Sequence, residues 1–335
     1  MDALSEALTT VRMTGAIFFN AEFTSPWGFI SPPAEEAIPS LSPGAEWLVL
    51  YHLVTEGKAV VQIEDEEELL LGPGDIVIVP HGHPHKASSG APTKWLKSEQ
   101  LGSMRDLSVV RYGGGGEATR FVCGYLSCER ASDRLFLAGL PRLFKVNIRG
   151  DASGAWLENS IRHLVAEMIS GRPGGMALLS KTAEALFIET LRRYMEQMPP
   201  QQAGWLAAAR DPIVGAALAL LHRKPCHPWT MADLSDAVGA SRSVLAERFA
   251  RFLGEPPLTY LARWRMQLAA RKLQMTRDSI VSVGLEVGYE SEAAFNRAFK
   301  REFGLPPARY RRNYLGQGIA TSGRERPDRN GGLLR

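Results

Sequence analysis

Val287–Tyr310 reads VGYESEAAFNRAFKREFGLPPARY, the second half of a helix-turn-helix followed by a fixed stop. Gly288 stands where the turn between two helices needs a residue without the Cβ penalty at positive φ, and Ser291 can cap the next helix by accepting from an orphan N–H. Phe295, Ala298, Phe299 and Phe303 recur at three- and four-residue spacing and form a buried stripe. Ala293, Asn296, Arg297, Lys300 and Arg301 fall on the opposite face, which suits DNA. Gly304 supplies a left-handed cap, and Pro306-Pro307 forbid continuation.

The same unit occurs once before. Met231, Leu234, Val238 and Gly239 map onto Ile280, Val283, Val287 and Gly288 at an offset of 49. Ser241, Phe249, Gly254, Pro256, Pro257 and Tyr260 map onto Ser291, Phe299, Gly304, Pro306, Pro307 and Tyr310 at an offset of 50, so the second turn holds one added residue. Thr230 is the expected cap of the first unit's leading helix, and Leu245, Phe249 and Phe252 the core of its second. Asp211 to Leu221 forms an opening helix. Leu258 to Gln274 reads as one continuous helix between the units, with Leu261, Trp264, Leu268 and Leu273 near one side. Held by such a spacer, two second helices can enter successive major grooves about one turn apart, roughly 34 Å. A duplication over about 50 residues is not a chance motif match.

The pattern of Gly-Tyr, Ser, Phe, Phe-Lys, Phe-Gly, Pro and Tyr-Arg resembles the DNA-binding domain of AraC/XylS-type transcription regulators over the last third of the chain. The resemblance places Arg242, Ser243, Ala246 and Glu247 of the first unit, and Glu292, Ala293, Asn296 and Arg297 of the second, on the faces that read bases. Arg297 can bond guanine bidentately, Asn296 can pair adenine, and the carboxylates can accept from cytosine N4 or exclude wrong sites. Arg309, Arg311, Arg265 and Lys300 suit phosphate, or stand as solvated helix faces, and Arg301 shares the outer DNA-binding face.

Charge divides the chain the same way. The net charge of +3 conceals 18 Lys and Arg against 24 Asp and Glu in residues 1–209, and 21 against 12 in residues 210–335. The basic end attracts a polyanion through counterion release. With 335 residues, 45% of them hydrophobic, two domains are expected. No apolar run approaches the ~20 residues of a membrane span, and Asp2 and Glu6 stand where a secretory signal is basic and apolar. A cytoplasmic protein without a membrane partner is expected. Cys123, Cys128 and Cys226 are too few for a disulfide framework.

Residues 1 to about 45 read as short strands and loops. From Trp47 a β-domain begins: WLVLYHLVTEG, then KAVVQIEDEEELLLGPGDIVIVPHG with Pro73-Gly74 as a turn. Gly74 to His85, GDIVIVPHGHPH, resembles the second conserved motif of cupins on Gly74, Pro80, Gly82 and His85. In metal-binding cupins the last His is a ligand beside an earlier His-x-His and a Glu. Here the earlier strand offers only His52, so that set does not transfer and neither metal nor cofactor is assigned. For an effector pocket the candidates are Trp47, His52, His83 and His85, the polar groups that a sensor cavity needs among apolar walls. Gly74, Pro80 and Gly82 equally suit a purely shaping role.

Tyr112 to Glu117 is a flexible loop before the strand ATRFVCGYLSC, whose Cys123 and Cys128 read either as two small buried residues or as a thiol switch. From Trp156 the period turns helical. Trp156, Leu157, Ile161, Leu164, Val165 and Met168 form one stripe; Leu179, Ala183, Leu186, Phe187, Thr190, Leu191 and Tyr194 form another. Such helices in the resembled family pack on the barrel and often on a second subunit. Pro199 to Gly204 reads as a linker.

The expected fold class is α+β multidomain. It comprises a cupin-like sensor β-barrel domain at 1–150, a helical connector with possible dimerisation helices at 151–200, an all-α double helix-turn-helix domain at 205–314 and a disordered tail at 315–335. The expected function is that of a sequence-specific DNA-binding transcription regulator, an activator or repressor and not an enzyme, controlled by a small-molecule or redox signal. Its expected partners are promoter or operator double-stranded DNA, RNA polymerase, an effector of unknown identity and a second copy of the chain. A cupin-type metalloenzyme fused to a DNA-binding domain is the alternative, and the missing His-x-His counts against it.

Overall fold

The computed structural model describes residues 2–10, 13–97, 109–128, 137–170, 172–199 and 202–322. The chain divides into two compact units, Asp2–Pro212 and Ile213–Arg335.

The first unit opens with helix α1 (Ala3–Thr10), strands β1 (Met13–Thr24) and β2 (Trp27–Ser31) and helix α2 (Ala34–Leu41). Strands β3 (Trp47–Glu56), β4 (Ala59–Ile63), β5 (Leu69–Leu71), β6 (Asp75–Val79), β7 (His85–Ser89), β8 (Leu96–Lys97), β9 (Val110–Gly113), β10 (Ala118–Cys128) and β11 (Phe144–Asn147) follow. They form a six-stranded sheet in the order β11-β6-β3-β10-β1-β9 and a five-stranded sheet in the order β5-β4-β7-β2-β8. Their shared core holds Phe19, Phe23, Trp27, Phe29, Val54, Val61, Val77, Phe121 and Cys123. Fully burying each of the larger side chains contributes about 1.5–3 kcal/mol.

The reading of residues 1–45 as strands and loops is corrected by the two helices. α1 starts where Asp2 accepts from the Ser5 N–H at 2.9 Å and buries Ala3, Leu4 and Ala7. α2 buries only Ala34 and Ala37. Each spans about two turns, too short for a helical period to stand out from the sequence.

Strand β3 is buried on both faces, with Leu48, Leu50, His52 and Val54 alternating with Val49, Tyr51 and Leu53. Helix α3 (Ala152–Ser170) and helix α4 (Gly175–Gln197) follow the sheets, and α4 packs on β1, where Gly15 leaves room for Ala183. The α4 stripe is buried as expected at Leu179, Ala183, Leu186, Phe187, Thr190 and Leu191. In α3, Leu157, Ile161 and Leu164 are buried, but Trp156 is 48% exposed, a correction to its place in the stripe. It lies one position beside Leu157, at the edge of the buried arc, where an indole stays in water. The Met168 side chain lies outside the described residues. A short helix, α5 (Trp205–Arg210), packs against α1 and α4, so the first unit extends past the expected linker.

The second unit contains α6 (Pro212–Arg223), α7 (Met231–Ala237), α8 (Arg242–Leu253), α9 (Pro257–Met275), α10 (Ile280–Glu286), α11 (Glu292–Phe303) and α12 (Pro307–Ser322). The repeat survives as geometry: α7 and α10 are seven residues each, α8 and α11 twelve each, at the offsets read from the sequence. α9 is buried on most sides, through Tyr260, Leu261, Trp264, Met266, Gln267, Ala269, Ala270 and Leu273. α12 runs on to Ser322, a correction to the tail expected from residue 315. Extending a helix already nucleated at Pro307 costs far less than starting one. Residues 323–335 of that expected tail lie outside the described residues.

Candidate DNA interface and barrel site

Each helix-turn-helix is set by local chemistry. Thr230 and Asp233 form a capping box, with the Asp233 N–H donating to Thr230 Oγ1 at 3.1 Å and the Thr230 N–H to Asp233 Oδ2 at 3.2 Å. Ser241 accepts from the Val244 N–H at 3.2 Å, and Ser291 from the Ala294 N–H at 3.3 Å. Leu234, Leu245 and Phe249 in the first unit, and Val283, Phe295 and Phe299 in the second, have no exposed area. Those anchors turn the opposite faces of α8 and α11 outward. Arg242, Ser243 and Glu247 are exposed and Ala246 is half-buried; Glu292, Ala293, Arg297, Lys300 and Arg301 are exposed and Asn296 is half-buried. Asn296 Nδ2 donates to Glu292 Oε1 at 3.5 Å, so these two candidate readers touch one another.

Arg265 departs from the expectation of a phosphate contact. Its Nε donates to the Pro225 carbonyl at 2.7 Å, Nη2 to His227 O at 2.9 Å and Nη1 to Gly288 O at 3.3 Å. The half-buried guanidinium, on the helix between the repeats, ties the loop before α7 to the turn before α11. Gly288 has φ +86°, and a Cβ there would lie 3.0 Å from both Arg265 Cζ and the Cys226 Cα. The turn glycine is therefore also a close-approach glycine. The sequence showed the free backbone; it did not show the arginine filling the space.

In the barrel, the two sheets bring together His52 of β3, His85 of β7 and Cys123 of β10. His52 Nε2 lies 2.7 Å from His85 Nε2, and His52 Nδ1 lies 2.5 Å from Cys123 Sγ. His85 Nδ1 lies 2.9 Å from the His83 carbonyl oxygen. All three side chains are buried, at 5%, 2% and 1% exposure, and the Phe29 and His52 rings meet in a T-shaped contact. Burial pushes His85 down to about 4, against the upward pull of its bond to the His83 carbonyl. His52 is held well below its ordinary value by burial and then by His85, and burial raises the Cys123 thiol.

Two of the four expected pocket residues are therefore together, and two stand elsewhere. Trp47 donates its indole N–H to the Pro80 carbonyl at 2.8 Å and makes a T-shaped contact with His81, which makes another with His83. His81 and His83 belong to the turn ahead of β7, where the pleat has not begun; only His85 enters it pointing inward. Cys123 completes the cluster because β10 pairs with β3 in the register that sets Cys123 opposite His52. No local signal in the sequence gives that register. Of the two cysteines read as small buried residues or a thiol switch, Cys123 is buried in this site, and the Cys128 side chain lies outside the described residues.

Among the described residues no group of three or more His, Cys, Asp or Glu side chains is arranged to hold a metal ion. His52 turns one nitrogen to His85 and the other to Cys123, so the three donors stand in a line and do not converge on a point. They do not fit a cupin metal centre.

Two family profiles match the chain, one described as a cupin over residues 2–196 and one as a helix-turn-helix domain over residues 234–313. An AraC-like transcription regulator of Streptomyces lividans is 31% identical over 284 residues, covering 82% of this chain and 92% of that protein. The chain belongs to the AraC-like transcription regulators. A second relative, the RCS-specific HTH-type transcriptional activator RclR of Escherichia coli, is 29% identical over 312 residues, covering 93% of this chain and 97% of its own. The DNA-binding domain of AdpA, solved in complex with a target DNA, is 27% identical and covers 32% of this chain and 96% of its own, with a TM-score of 0.31. This AraC-like regulator thus joins a cupin N-terminal domain to a DNA-binding helix-turn-helix domain, as its residues implied. Among the described residues no helix is long and apolar enough to cross a membrane.

Proposed function

We propose that this regulator reads two adjacent major grooves with α8 and α11 and takes its signal in the barrel. The observation that carries the reading is the repeat itself: two capped helix pairs of equal length on one buried helix, each with its second helix facing outward. Arg297 and Asn296 read bases in the second half-site, Arg242, Ser243, Ala246 and Glu247 act in the first, and Glu292 and Ala293 border the reading face. Lys300 and Arg301 hold phosphate. The added residue in the second turn, beside Tyr289 and Glu290, makes the half-sites unequal.

The signal, a small molecule or an oxidant, acts at His52, His85 and Cys123. The chain pairs as a homodimer through α3 and α4, where Trp156, Met176 and Leu178 are exposed, and contacts RNA polymerase at the promoter in the cytoplasm. Genome-wide footprinting, with thermal-shift screening of candidate effectors, tests this reading. A symmetric palindrome protected by one monomer would contradict it.

A further inference from the structure

The barrel cluster has one consistent set of hydrogen positions. A carbonyl oxygen can only accept, so His85 Nδ1 carries the proton it donates to His83 O. Neutral His85 then presents a bare Nε2, and His52 Nε2 must donate to it. Neutral His52 is thereby bare at Nδ1, and the Cys123 thiol donates there. One backbone carbonyl thus fixes both tautomers, and every proton in the line points the same way, from sulfur toward β7.

An apolar core gains nothing for stability from three polar groups that satisfy one another and a single backbone carbonyl, since hydrophobic side chains of the same volume would pack there at no desolvation cost. The line has a chemical use. A buried thiol is ordinarily inert because its thiolate is disfavoured. Here a proton leaving Sγ can pass to His52 Nδ1 while the Nε2 proton of His52 passes to His85, which puts the charge a full ring away on an imidazole that burial makes quick to give the proton back.

We propose that Cys123 is where a small two-electron oxidant of the peroxide class is read, with His52 and His85 as a one-way relay that takes the thiol proton. The proposal rests on the reading of the barrel as the signal-receiving domain. The sulfur attacks one peroxide oxygen, the O–O bond breaks, and Cys123–SH plus hydrogen peroxide gives Cys123–SOH plus water. Sulfur loses two electrons and the peroxide gains them; the proton lent to the relay leaves with the departing oxygen. Among the described residues, the titratable and polar groups near the relay are Tyr51, Ser31 and His83. Tyr51 is buried, with its hydroxyl pushed well up by burial first and then by Cys123 and Tyr125, and Ser31 pairs with His85 across β2 and β7. His83, whose ring meets that of His81, is held below its ordinary value by burial first and then by Arg142 and His81, against the pull of Glu66 and Glu35.

The test measures sulfenic acid formation at Cys123 in the full chain with hydrogen peroxide, by trapping and mass spectrometry, alongside DNA footprinting. His52→Asn keeps an acceptor near the Nδ1 position, and His85→Gln keeps one near Nε2, but neither amide takes a proton. Each is expected to slow oxidation about 100-fold. The wild-type rate should be flat between about pH 6 and 8, and the variants' rates should climb with pH as the thiol must ionise unaided. Thermal unfolding and footprints of the untreated variants establish that they fold. Equal rates in all three chains would overturn the relay, and an unmodified Cys123 in wild type would overturn the oxidant site. If Cys123 oxidises through the relay while the footprint and promoter output stay unchanged, the wider reading of the barrel as sensor fails and the chemistry stands.

Discussion

Replacing Arg265 by Met separates two accounts of one basic residue. Its guanidinium makes three charge-assisted hydrogen bonds to carbonyls, two short and one at 3.3 Å, from segments 225–227 and 288. A hydrogen bond to a charged group contributes about 1.5–3 kcal/mol. The site is half-buried and the freed carbonyls can recover water, so a total loss of about 2–4 kcal/mol is expected. Urea unfolding of the full chain, followed in the helical unit, measures it. Because the clamp joins the approach to α7 with the turn before α11, affinity for a complete two-groove site should also fall, more than for an isolated half-site. The dependence of log affinity on log salt should not change. A phosphate contact would give the reverse: stability unaltered and the salt slope smaller by about 0.9. That outcome would refute the clamp.

Arg297→Ala should cost about 1–3 kcal/mol on the cognate site, and equal losses on cognate and random DNA would remove Arg297 from base reading. Ser291→Ala removes the cap of α11 and should lower stability by about 1 kcal/mol in the same unfolding assay. His85 has a folded value of about 4 against an ordinary 6.5, so below pH 6.5 the unfolded chain binds a proton that the folded barrel refuses. Barrel stability from this group is full above pH 6.5 and is lost as pH falls toward 4, by about 3 kcal/mol. His85→Gln should flatten that part of the unfolding profile, and a wild-type profile already flat there would contradict the burial argument.

Much of the second unit was legible because its signals are local. A capping serine, a turn glycine, a stripe of phenylalanines and a Pro-Pro stop each act within one or two turns, and their recurrence some 50 residues apart fixed the two units before any contact was known. The outward faces of α8 and α11 followed from the same periodicity. In the first unit the β-domain was legible from Trp47 onward, whereas α1 and α2 are too short to carry a period, and Trp156 sits where an arc of burial ends.

What the sequence by itself determined is the class of molecule: a barrel, connecting helices and a duplicated basic reader. Tertiary structure alone decided which of its polar residues meet. His52, His85 and Cys123 come from three strands and two sheets, and their approach depends on strand register, which pairs residues 71 apart for His52 and Cys123. Arg265 looked like any other exposed cation on a helix until the fold carried three carbonyls to it. Periodicity states which face a side chain takes, because helix and strand geometry repeat locally. It cannot state what waits on that face, because that is set by packing between distant segments.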